Sequence, residues 1–393
     1  MNDQFYRIKR LPPYVIAEVN AMRHAARTAG EDIIDLGMGN PDQPPPQHVI
    51  DKLCEVAAKP DAHGYSQSKG IPGLRRAQAN YYARRFGVEL DPETEVVVTM
   101  GSKEGLASLA NAITAPGDVV LAPNPSYPIH TFGFIIAGAT IRSVPTTPDE
   151  DYWRALDSAM HFTVPRPTVL VVSYPSNPTA ETVDLAFYER LVAWAKQNEV
   201  WVLSDLAYSE LYYDDNPTPS IMQVEGAKDV AVEFTSMSKT YSMAGWRMGF
   251  AVGNRAMIAA MTRVKSYLDY GAFTPIQAAA CAALNGPQDI VERNRDLYRR
   301  RRDVMVESFG RAGWDIPPPA ASMFAWAPLP RALARLGSLE FSKRLLTEAK
   351  VAVAPGVGYG EKGEGFVRIA MVENEQRLRQ AARNIKRWLS SFA

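Results

Sequence analysis

Three polar residues stand at matching places in the chain. Asn177 lies in Ser173-Tyr174-Pro175-Ser176-Asn177-Pro178, Asp205 in Ser204-Asp205-Leu206-Ala207-Tyr208, and Lys239 in Thr235-Ser236-Met237-Ser238-Lys239. Each follows a short β-branched run, and successive members are about one βαβ unit, roughly 30 residues, apart. In an open parallel sheet ligands bind beyond the carboxyl ends of the strands, so an amide, a carboxylate and an amine are expected to converge on one rim. A fourth element, Thr99-Met100-Gly101-Ser102-Lys103-Glu104-Gly105, joins a strand to a helix. Backbone N–H groups and the helix dipole at such a terminus favour a phosphate. Singly, each feature has an ordinary reading: Asn-Pro makes a turn, an Asp caps a helix, a lysine is solvated, and the glycine segment is a capped turn. Their joint occurrence at unit spacing carries the argument.

The elements that must position them alternate. Residues 95–99, 118–121, 168–172, 200–203 and 230–234 read as strands, with helices over 103–113 and 185–198 between them. Continuous apolar strands alternating with helices predict an α/β fold with a parallel sheet covered on both faces. The last hundred residues differ. A charged helix near 290–309 precedes strands near 323–326, 351–354 and 366–370 and a final helix over 375–389, a smaller α+β unit completed by the N-terminal arm. The expected division is an arm over 1–45, a large domain over 46–285 and a small domain over 286–393. Two other motifs do not hold. Ser236-Met237-Ser238-Lys239 matches the SxxK of penicillin-recognising enzymes, but it ends a strand and no KTG or SDN follows. Gly358-Tyr359-Gly360-Glu361-Lys362-Gly363 matches GxGxxG yet opens no helix, and reads as a glycine-rich turn.

Composition narrows the partners. The 43 basic residues cancel the 43 acidic ones, so no global field draws nucleic acid or an anionic membrane. The apolar stretch 131–141 is far short of the roughly 20 residues a membrane helix needs, and the first seven residues do not look like a signal peptide. Cys54 and Cys281 are the only cysteines, and the five histidines (24, 48, 63, 130, 161) lack metal-ligand spacing, so no metal is expected. Two lone thiols suit a reducing cytoplasm.

Ser236-x-x-Lys239 followed by Gly245-Trp246-Arg247-Met248-Gly249 resembles the cofactor-lysine signature of the class I and II aminotransferases, pyridoxal-phosphate enzymes of fold type I. The Asn177, Asp205–Tyr208 and Gly101–Lys103 segments are similar to that family's other cofactor segments, as is Asn124-Pro125-Ser126-Tyr127-Pro128. The likeness runs from Leu36-Gly37-Met38-Gly39-Asn40-Pro41-Asp42 to Arg368. It implies a mostly parallel seven-stranded sheet between helices, plus the smaller α+β domain. Lys239 would hold pyridoxal 5′-phosphate as a Schiff base and, once freed, move the substrate's α-proton. Asp205 would keep the ring nitrogen protonated, Asn177 and Tyr208 would bond the ring's 3-oxygen, and Tyr127 would stack on its face. Ser236, Arg247 and the Ser102–Lys103 backbone would hold the phosphate, with Tyr65 reaching it from a second subunit of a homodimer with shared sites. Arg368 would grip the substrate α-carboxylate, assisted by Asn177 and the Gly39 backbone.

The segments Arg10-Leu11-Pro12-Pro13-Tyr14-Val15, His63-Gly64-Tyr65-Ser66, Met237 to Trp246 and Lys265 to Gly271 resemble the branch of this family that exchanges amino groups between glutamate and pyruvate. Small amino acids and 2-oxo acids are thus the expected partners. Aminotransferases for methionine, diaminopimelate or aspartate would share every cofactor residue, and a carbon–sulfur lyase would share the lysine. No second arginine for a side-chain carboxylate can be placed; Lys265, Tyr267 and Tyr270 lie in the corresponding segment.

Overall fold

The computed structural model describes residues 5–13 and 15–392. Residues 1–4 and Tyr14, which enter the N-terminal readings above, lie outside the described residues. The strands in chain order are β1 (Ile34–Asp35), β2 (Val96–Thr99), β3 (Val119–Asn124), β4 (Thr140–Pro145), β5 (Val169–Ser173), β6 (Trp201–Asp205), β7 (Ala231–Ser236), β8 (Gly249–Gly253), β9 (Phe324–Pro328), β10 (Val351–Ala352), β11 (Ala354–Pro355) and β12 (Phe366–Ala370).

A seven-stranded sheet in the order β2-β8-β7-β6-β5-β3-β4 forms the centre. Its pairs are parallel from β7 through β4, and β8 runs antiparallel to both β7 and β2. Strands β2, β5, β7 and β8 are buried at every position, which is why they read as unbroken apolar runs rather than alternations. The covering helices show the other period. In Leu185–Asn198 the buried residues are Tyr188, Leu191, Val192, Trp194 and Ala195, and Asp184 caps the start by accepting the Phe187 N–H at 2.9 Å.

The second core gathers around an antiparallel sheet in the order β11-β12-β9. Leu378, Ala381, Ala382, Ile385 and Trp388 of the helix Glu375–Leu389 are buried against it, with Asn374 as the N-cap. The N-terminal segment joins this side of the molecule: β1 pairs in parallel with β10, and the helix Val15–Thr28 buries Val19 beside Leu346. The glycine-rich stretch near 358–363 is two short helical turns between β11 and β12.

Strand order reverses at β3: the chain runs from β3 to β4 on one side and from β5 to β7 on the other. The loops after β3 and β5 therefore part at the carboxyl edge and leave a crevice there.

Candidate active site

A cavity of about 820 Å³ opens at that crevice, and Lys239, Asp205, Asn177, Arg247, Tyr127 and Arg368 all line it. Ser102, Lys103, Ser236, Tyr208 and Gly39 contribute to the same wall. Eleven of the residues expected at the site are thus gathered in one space from loops far apart in sequence.

Lys239 sits on the short helical turn Met237–Thr240 directly after β7. Ser236 opens that turn, its hydroxyl accepting the Ser238 N–H at 3.2 Å. The Lys239 Nζ donates to the Gly39 carbonyl at 2.5 Å. Burial, reinforced by the positive charges of Arg368 and Arg247, lowers its pKa to about 7. Near neutral pH a large fraction of this amine is uncharged, as a nucleophile or base must be.

Asp205 ends β6 and is held at both oxygens: Oδ1 accepts the Ala207 N–H at 3.2 Å, and Oδ2 lies 2.8 Å from Nε2 of His130. His130 is fully buried on the helix Ile129–Ala137. In sequence this histidine stands out only as one of five without metal-ligand spacing. The available signal was its place three residues after Tyr127, whose carbonyl accepts the His130 backbone N–H at 3.0 Å. Tyr208 packs edge-on to Phe324 at 5.6 Å, and its burial pushes its phenol pKa up.

The candidate anion site is formed by backbone and one guanidinium. Gly101 takes φ +84°, and a Cβ there would stand 2.2 Å from Nη2 of Arg247. Arg247 itself is in the left-handed region at φ +56° and ψ +57°, a conformation that costs a non-glycine residue about 1–3 kcal/mol and clusters at ligand sites. Its Nη1 donates to the Ala244 carbonyl at 2.9 Å. The helix Ser102–Ile113 begins at this point. Glu104 steadies its entry by accepting the Met100 N–H at 2.8 Å, and Lys265 neutralises Glu104 at 3.2 Å. Lys265 also pairs with Asp269 at 2.9 Å and is buried. It thereby braces the start of the Ser102–Ile113 helix, whereas Tyr267 and Tyr270 stand exposed.

Arg368 on β12 is only 7% exposed. Its Nη1 donates to Asn177 Oδ1 and its Nη2 to the Gly37 carbonyl, both at 2.9 Å, with the guanidinium 3.9 Å above the Phe324 ring. In the wall itself Arg368 is bonded to the Gly37 carbonyl and Lys239 to the Gly39 carbonyl. Nε of Arg368 is buried with no partner, and no carboxylate pairs with this cation among the described residues. A desolvated guanidinium in that state is poised for an anion. Tyr65 is absent from the cavity. It is 89% exposed and lies 4.6 Å, ring to ring, from the exposed Tyr270.

These groups fit pyridoxal phosphate. The Gly101 cradle, which a side chain would fill, faces a guanidinium and a helix start for the phosphate. An amine that burial leaves largely deprotonated near neutral pH is available to the carbonyl, and a carboxylate fixed at both oxygens is available to the ring nitrogen.

Residues 31–385 match the protein family described as aminotransferase class I and II. A putative aminotransferase, AatC, of Rhizobium meliloti is 64% identical over 389 residues, covering 99% of this chain and 96% of that one. The glutamate–pyruvate aminotransferase AlaC of Escherichia coli is 54% identical over 383 residues, covering 98% and 93%. An LL-diaminopimelate aminotransferase of Moorella thermoacetica is 41% identical over 383 residues, covering 98% and 97%. Among solved structures, substrate-bound BacF of Bacillus subtilis superposes with a TM-score of 0.92 at 33% identity, covering 99% and 98%. No helix among the described residues is long and apolar enough to cross a membrane.

Proposed function

The chain belongs to the class I and II aminotransferases, and we propose that its reaction is reversible amino transfer between glutamate and pyruvate, giving 2-oxoglutarate and alanine. The cofactor of this transaminase is pyridoxal 5′-phosphate. The observation that carries the substrate pair is the near-full-length likeness to the glutamate–pyruvate enzyme.

When bound, pyridoxal phosphate supplies a carbonyl that exchanges for the amino group and a ring that takes up the electron pair released at the substrate α-carbon. This chain's residues bind, orient and move protons around it. We assign the phosphate to Ser236, Arg247 and the amides of Ser102 and Lys103, and the ring to Tyr127, Asn177 and Tyr208. Asp205, oriented by His130, holds a proton on the ring nitrogen. Arg368 binds the α-carboxylate through its bidentate fork. That anchor sets the α-hydrogen toward Lys239, whose uncharged Nζ takes the proton and later returns it.

We further read the working unit as a homodimer in which Tyr65 serves the neighbouring site; its exposure beside Tyr270 supports this. Two free cysteines support a cytoplasmic setting.

The test is a panel of half-reactions followed by the absorbance of the bound cofactor. Alanine and glutamate should both react rapidly, and aspartate, methionine and diaminopimelate slowly. If alanine is inert while methionine or diaminopimelate reacts fast, the substrate pair is wrong. Pyruvate and ammonia released from cystathionine without an acceptor would identify a lyase instead.

A further inference from the structure

An exchange between glutamate and pyruvate needs a cavity that accepts a carboxyethyl and a methyl side chain in turn. Arg23, on the helix Val15–Thr28, lines the same cavity as Arg368 and Lys239. Its Nη1 donates to Oδ2 of Asp35 at 2.5 Å, and the two side chains are 17% and 14% exposed. Arg27 approaches the same oxygen at 3.9 Å and donates to the Ile33 carbonyl at 3.1 Å. Two guanidiniums thus share one carboxylate at this end of the cavity. Of the other carboxylates on the wall, Asp42 is paired with Arg301 at 2.6 Å and Asp205 with His130, and Glu373 adds a further negative charge.

Asp35 Oδ1 accepts the Gly37 N–H at 3.0 Å, and the Gly37 carbonyl accepts from Arg368. Asp35, the partner of Arg23, and Gly37, the partner of Arg368, thus lie two residues apart on one segment of the wall. An arginine carries five N–H donors, and Asp35 engages only Nη1 of Arg23.

Resting on the substrate reading above, we propose that Arg23 receives the distal carboxylate of glutamate and 2-oxoglutarate, held in place by Asp35 with Arg27 behind it. When alanine or pyruvate occupies the cavity, the pair with Asp35 leaves no bare charge. One arginine then serves both substrates, where a fixed unpaired cation would favour the diacid alone.

The experiment uses the holoenzyme and two unreactive probes, glutarate and valerate, which differ in the distal carboxylate. Dissociation constants are read from the cofactor absorbance. The wild-type protein should bind glutarate roughly 10- to 100-fold more tightly than valerate, the range for a hydrogen bond between charged groups. Arg23→Gln should erase that ratio and Arg23→Lys should keep part of it. Asp35→Asn, which keeps an acceptor for Gly37 while removing the competing charge, should raise it. Because the readout is a ratio within one protein, general loss of activity or folding does not mimic it. An unchanged ratio in Arg23→Gln, no ratio in the wild type, or a reduced one in Asp35→Asn overturns the assignment. The amino-acid panel, scored separately, shows whether the glutamate–pyruvate reading fails on its own.

Discussion

The Nε2 atom of His130 stands 2.8 Å from Oδ2 of Asp205, and the imidazole is sealed from solvent. With the Ala207 N–H on the other oxygen, the carboxylate has one orientation. His130 is thus a positioning residue: it acts through Asp205.

Loss of that bond should be visible in the cofactor as well as in turnover. A hydrogen bond to a charged group contributes about 1.5–3 kcal/mol, so His130→Ala should lower kcat/KM roughly 10- to 100-fold. It should also shift the absorbance of the bound cofactor, and Asp205→Ala should be worse on both counts. A variant with normal turnover and an unshifted spectrum would remove His130 from the site.

Lys239 gives a pH prediction that needs no turnover. Burial depresses its folded-state pKa to about 7 from an ordinary lysine value near 10.5. Below pH 7 the amine is mostly protonated, and above it mostly free. In cofactor-free protein, competitive acylation of Lys239 should rise about tenfold per unit up to pH 7 and then level off. Ordinary lysines should keep rising through pH 9. A Lys239 profile parallel to theirs would contradict the desolvated amine. Lys239→Ala should still bind the cofactor through the phosphate groups while losing turnover.

Some of this was written plainly in the chain. The helices over 185–198 and 375–389 carry both a 3.6-residue apolar period and a capping residue, Asp184 or Asn374, so their ends are where the sequence puts them. Asn177, Asp205 and Lys239 were legible because βαβ geometry brings strand ends to one rim. The reversed strand β8 was not, because Gly249-Phe250-Ala251-Val252-Gly253 has no alternation and its direction depends on the connection. Only short helical turns separate it from β7, without the crossover helix usual between parallel strands. The apolar stretch 131–141 hid a boundary: Gly138, at φ +107°, ends one helix and β4 follows. His130 and Arg23 escaped for another reason. Each is an isolated polar residue whose meaning depends on a partner in a different element.

Arg368 has its own signature. Removing one partner of a desolvated charge pair typically costs about 2–5 kcal/mol. Arg368→Ala should therefore lose roughly one and a half to three and a half decades in kcat/KM for amino acids. Amines without a carboxylate should lose far less. Equal losses for both classes would show that this guanidinium does not bind the carboxylate.

The exposure of Tyr65 leads to a complementation test. If Tyr65 serves a neighbouring site, Tyr65→Phe and Lys239→Ala chains, each impaired alone, should regain activity when mixed under subunit exchange, through one intact site per heterodimer. A fully active monomer in sedimentation would exclude shared sites.

Glu233 lies on β7, one strand from the Asp205 side of the rim, with no exposed surface. It accepts from Tyr82 Oη at 2.9 Å, Ser204 Oγ at 3.0 Å, the Ile221 N–H at 3.2 Å and the Ser220 hydroxyl. Those bonds favour the charged form, but burial outweighs them and pushes the pKa from 4.5 up to about 7. The sign follows from proton counting. Between about pH 4.5 and 7 the folded chain keeps a proton that the unfolded chain has released, so stability falls as pH rises; above 7 both forms are ionised and the slope ends. At about 1.36 kcal/mol per unit the full effect is about 3 kcal/mol. Glu233→Gln has no proton to lose at this site. Its stability relative to wild type, from urea unfolding at pH 5 and pH 7.5, should therefore improve by an amount of that order at the higher pH. Parallel stability curves for the two proteins would mean that Glu233 is already ionised in the fold at pH 5.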